Sequence, residues 1–194
     1  MLRPGRKFGT FENIITKGSE QMKTKKQREI IDGFLAMVDE KTRPQYKEII
    51  EYLSEVGYNP YKQRSYIVFK HDLHNKQIAK TGIRINKGKA PFFALRFSAC
   101  KNYPEKFAEI VKETIIGDVI NKGAACMRNE CVYCAGESAT HVYNYTFPSG
   151  ETKTLCGASA LEIPSITVNN IPSIKALIME ENVYLLKHQA GVVV

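Results

Sequence analysis

The sequence predicts an α+β fold: an antiparallel three-stranded meander with flanking helices, then a knuckle-like hairpin and a C-terminal helix. Three observations predict it. Apolar residues recur at helical spacing between Thr24 and Val56, and they alternate at strand spacing between Tyr66 and Ala99. Four of the five cysteines crowd between Cys126 and Cys156. The chain divides on this reading into a tail over 1–22, an α+β domain over 23–121, and a cysteine-rich hairpin with its closing helix over 122–194.

Residues 1–22 show no sustained periodicity and are expected to form a flexible tail, with Met22 an alternative start. From Thr24, the residues Ile30, Ile31, Phe34, Leu35 and Val38 share one helical face. A second helix is expected after Thr42, which makes a capping box with Gln45 and has Pro44 in the first turn. Tyr46, Ile49, Ile50, Leu53 and Val56 form its apolar face, and Gly57 ends it. Strands follow over Tyr66–Lys70, Ile78–Ile85 and Phe92–Ala99, with short turn-rich links that favour antiparallel pairing. Pro104 opens a helix carrying Phe107, Ile110, Val111, Thr114 and Ile115. A hairpin from His141 to Cys156 turns at Pro148-Ser149-Gly150, and a last helix starts near Pro172.

Composition bounds the possibilities. A hydrophobic fraction of 43% and a charged fraction of 25% are those of a globular chain, and no apolar run is long enough to span a bilayer. No apolar segment near Met1 suggests a signal peptide, and clustered cysteines suit a reducing compartment, so a cytoplasmic location without membrane attachment is expected. The net charge is +8, and between Tyr61 and Pro104 ten basic residues face a single acid, Asp72. That segment accounts for the whole excess and favours an anionic partner.

The spacing Cys126-x4-Cys131-x2-Cys134-x21-Cys156 supplies a full set of four thiolates. The two-residue gap lets Cys131 and Cys134 converge on one ion, and the hairpin returns Cys156 toward it. Cys126 is the natural fourth ligand, with His141 as its substitute. This half resembles a zinc ribbon, which implies a closed, structural Zn2+ site, although a ribbon usually has a second C-x-x-C pair where this chain has Cys156 alone. The ligand order is also similar to that of plant-type ferredoxins, which implies a [2Fe–2S] cluster instead and a redox or sensor protein. A set of unliganded thiols is the third reading. Cys100, before the Pro104 helix, reads as a small core residue.

Alternation assigns the strand faces. Lys80, Arg84 and Arg96 share one face with Phe92, joined by Lys70 and Tyr66, opposite Phe93, Leu95 and Phe97. Basic side chains interleaved with aromatics suit a phosphorylated or carboxylated small molecule, or single-stranded nucleic acid. A merely solvated face is the alternative. There is no phosphate loop, no nucleophile elbow and no zinc-protease motif. His71 and His74 sit in a polar turn, His188 near a helix end, and the adjacent Glu180 and Glu181 diverge on a helix. The expectation is therefore a zinc-stabilised binding protein with a basic sheet face, leaving an enzyme of unrecognised type as the alternative.

Overall fold

Helix α1 (Lys25–Leu35) begins at a threonine with an extended backbone. The Thr24 hydroxyl accepts from Gln27 N at 3.2 Å, and Gln27 Oε1 accepts from Thr24 N at 3.0 Å. The box expected at Thr42 does not form. There the backbone is already helical (φ −103°, ψ −13°), which turns the hydroxyl away from the N3 amide, and α2 (Arg43–Glu55) starts without a side-chain cap, with Pro44 in its first turn. Gly57 ends α2 at φ +93°, a conformation that suits glycine. The computed structural model describes residues 24–85, 88–121 and 141–188; the expected tail and Cys126, Cys131 and Cys134 lie outside them.

The predicted meander is present and larger than expected. Strands β1 (Tyr58–Gln63), β2 (Tyr66–His71), β3 (Gln77–Arg84) and β4 (Ala90–Leu95) pair antiparallel in order. Further along the chain, β5 (Val142–Thr146) and β6 (Thr152–Cys156) form a separate hairpin, and β7 (Leu161–Ile163) pairs antiparallel with β4. The main sheet is thus five-stranded, not three-stranded. Sequence patterning missed β1 because it carries Pro60 and polar residues, which an edge strand tolerates. It missed β7 because three residues give almost no alternation to read.

One face of this sheet carries Ile67, Phe69, Ala79, Thr81, Phe93, Leu95, Leu161 and Ile163, all buried. Helix α1 packs on β1, α3 (Glu105–Asn121) packs on β5 and β7, and α4 (Ile171–Lys187) packs on α2 and β3. Full burial of each large apolar side chain contributes about 1.5–3 kcal/mol, so this layer supplies the main driving force. The residues after 141 therefore complete the same sheet and core through β7 and α4.

The expected third strand stops four residues early. Arg96 N still donates to Ile78 O, but Phe97 N donates to the Tyr143 hydroxyl at 2.8 Å and Ala99 N to Glu181 Oε2 at 2.8 Å. Side chains from the hairpin and from α4 take the donors that a neighbouring strand would otherwise use. Tyr143 also sets its ring edge-on to Phe97 and donates to Ser159 O, which docks the hairpin on the end of β4. Gly157 lies so close that any Cβ there would meet the His141 carbonyl.

Candidate functional site

The second face of the sheet stays partly open. The β2–β3–β4–β7 register places Tyr66, Lys80, Gly82, Arg84, Phe92, Ala94 and Glu162 on it together. Gly82 is covered by its neighbours: a Cβ there would lie 3.0 Å from the Phe92 ring and 3.1 Å from Tyr66 Cβ. The face holds a concavity of about 660 Å³, whose lining includes Tyr66, Lys80, Arg84, Phe92, Ala94 and Glu162. Four of the six predicted basic-face residues thus line one hollow. Lys70 lies beyond a register shift in β2, between Phe69 and Lys70, and does not line it.

Within the hollow the Arg84 guanidinium stands over the Phe92 ring, 5.0 Å from its centroid, and Arg84 Nη2 donates to Glu162 Oε2. Both side chains of this pair are about 40% exposed. Lys80 is half-buried and makes no ion pair with another described residue. Glu162 is an acid that the charge count along β1–β4 could not anticipate, since it arrives from β7. Its only sequence signal is the apolar-polar-apolar run Leu161-Glu162-Ile163.

Arg96 does not join this hollow. It was expected beside Lys80 and Arg84, but it is 2% exposed and its charge is spent inside the protein. Arg96 Nε lies 2.7 Å from Glu181 Oε1, and Nη2 lies 2.9 Å from His141 Nδ1. His141 Nε2 lies 2.8 Å from the same Glu181 oxygen, while the second oxygen accepts from Ala99 N. Arg96 Nη2 also lies 3.0 Å from His141 Nε2, so the guanidinium, the imidazole and the carboxylate form one compact buried cluster. Parity assigned Arg96 to the correct side of the ladder, paired opposite Ile78. Past the end of β4, however, that position is sealed by other elements. Glu181 was legible in part, because Ile174, Leu177, Ile178 and Leu185 place position 181 on the buried stripe of α4.

Of the cysteine set, Cys156 alone falls among the described residues, half-buried at the end of β6 and paired opposite Val142. His141, the substitute ligand, has both ring nitrogens engaged by Arg96 and Glu181. Among the described residues no three histidine, cysteine or carboxylate side chains gather as a metal set. Cys100 is buried, and burial raises its thiol well above the ordinary range, which makes it a core residue and not a nucleophile.

A second histidine group lies under the β2–β3 turn. His71 and His74 stack at 4.3 Å between centroids, with Tyr58 edge-on to both. Each Nδ1 accepts a backbone amide two residues ahead, from Leu73 and Lys76. Burial, then the neighbouring His71, Lys76 and Arg96, lowers the His74 imidazole to about 4. The two histidines, placed in a polar turn by the sequence, are therefore both buried.

No family model matches this chain, and neither a curated protein nor a solved structure matches it. Among the described residues no helix is long and apolar enough to cross a membrane.

Two outcomes follow from the buried groups. Arg96→Met strands the Glu181 carboxylate without its cation and should cost about 3–5 kcal/mol, read as a lower urea midpoint. Adding Glu181→Leu should recover part of that loss, because the uncompensated charge is gone; no recovery would show that packing dominates. His74 gives the second. An unfolded histidine takes a proton near about 6.5 and the native one near about 4, so stability is full above the first value. It should decline as pH falls toward the second, by on the order of 2 kcal/mol. Thermal melts from about pH 7.5 to about pH 4.5 should show this in the wild type and a flatter profile in His74→Asn.

Proposed function

We propose that the protein is a cytoplasmic, zinc-stabilised binding protein that takes a small phosphorylated or carboxylated ligand in the concavity of its sheet. The observation that carries this reading is the convergence of Tyr66, Lys80, Arg84 and Phe92 on one hollow of about 660 Å³, a volume in the range of small-molecule sites. Lys80 is the principal anion-binding group, since its amine is not committed to a described acid. Tyr66 and the Arg84–Phe92 stack offer flat surfaces for a planar part of the ligand.

The same geometry favours a small ligand over single-stranded nucleic acid. Arg96 is withdrawn from the face and Glu162 is added to it, so among the described residues lining the hollow two cations stand against one carboxylate. A nucleic-acid groove needs a run of cations to follow several phosphates, and a carboxylate in its middle repels them.

Zinc at Cys126, Cys131, Cys134 and Cys156 rests on the spacing of those cysteines and on four thiolates making a closed set. When bound it supplies a cross-link between the chain before the hairpin and the end of β6, with no chemistry required of it.

Calorimetry at low salt against phosphorylated and carboxylated metabolites should find a ligand. Lys80→Ala should weaken it about tenfold, the loss of one charge-assisted hydrogen bond, without lowering the melting temperature. Preference for single-stranded oligonucleotides, with a steep log-linear salt dependence, would reject the small-ligand reading. Elemental analysis should give one zinc per colourless chain, lost in Cys134→Ser; a brown protein containing iron would replace zinc with the [2Fe–2S] cluster.

A further inference from the structure

We infer that Glu162 is a specificity-determining residue of this concavity: its carboxylate occupies Arg84 until an entering carboxylate or phosphate takes its place on the guanidinium. The inference rests on the anion-binding reading above and adds to it the exchange of one anion for another.

Three observations support it. Glu162 lines the hollow and reaches Arg84 across the Phe92 strand. The pair is about 40% exposed on both sides, so water and salt already compete with it and its hold is weak. Arg84 Nε is buried without a hydrogen-bond partner, so the guanidinium in this arrangement is not fully satisfied. A ligand oxyanion held at once by the Lys80 amine and by a released Arg84 makes more charge-assisted contacts than Glu162 does. Phe92 keeps the guanidinium over its ring during the exchange, so the cation stays in the hollow when its partner changes.

Selectivity follows from the competition. Neutral and cationic molecules cannot displace Glu162, and anions bind only if they outcompete a carboxylate already in place. A filter of this kind rejects weak anions at the cost of some affinity for the right one.

The test titrates the full-length protein with benzoate and with phenyl phosphate at low salt, following backbone amide and Arg84 Nε–H resonances by NMR. The wild type, Lys80→Ala, Glu162→Gln and Glu162→Gln/Arg84→Ala are compared. Glu162→Gln keeps the shape of the β7 residue and removes its charge. It should tighten binding of a probe about two- to fivefold, the weight of an exposed ion pair. Binding to Glu162→Gln alone, with none to the wild type, would support the inference equally. The gain should vanish in the double variant, since exchange needs the guanidinium. A gain that persists there would mean simple repulsion and overturn the exchange. If the wild type binds, Lys80→Ala weakens it and Glu162→Gln changes nothing, the inference fails and the anion-binding reading stands. If neither probe binds any variant, both fail.

Discussion

The fold turns on the buried contact of Arg96, Glu181 and His141. These residues come from the end of β4, the middle of α4 and the residue before β5, so one cluster joins three segments far apart in sequence. Removing a guanidinium and a carboxylate from water costs several kcal/mol each, and their attraction repays this only where the remaining polar atoms are satisfied. Here Glu181 answers Arg96, His141 and the Ala99 amide together. An apolar cluster could fill the space, but it would not demand that α4 and the hairpin meet β4 in one register.

That contact also divides the sheet along its length. Ile78 faces Arg96 at the sealed end, while Gly82 faces Phe92 at the open end, four residues or about 13 Å away. The strands are the same, and so is the face. What differs is the cover: Tyr143 and Glu181 bind the backbone after Leu95, whereas Tyr66, Lys80, Arg84 and Phe92 line an open hollow. A basic residue at one end becomes a core element, and one at the other end is left for solvent or a ligand.

Much of this was legible in the sequence. The helical stripes of α1 and α2, the alternation of β2–β4 and the Pro148–Gly150 turn each follow from local rules that act within a few residues. Alternation also assigned Tyr66, Lys80, Arg84 and Phe92 to one face. It fixes which side of a ladder a residue occupies and carries no information about what covers that side, which is why Arg96 was misjudged. Glu162 and Glu181 were invisible as partners for the same reason: each meets its arginine across 78 or 85 residues of chain, and nothing local to either acid announces the pairing. The capping box at Thr42 failed differently, because a suitable residue pair does not guarantee the extended backbone that the cap requires.

The hairpin and the concavity are also linked along the chain. Cys156 closes β6, Gly157 follows against the His141 carbonyl, and Glu162 arrives in β7 six residues after that cysteine. Strand β7 has three residues and pairs with β4 alone, so its own ladder holds it weakly. Its position depends on the segments at either side: the docked hairpin before it and α4 after it, the latter fixed through Glu181. A metal bound at Cys156 would brace the first of these. Glu162, the partner of Arg84, is thus carried by the shortest strand of the sheet and positioned by what flanks that strand.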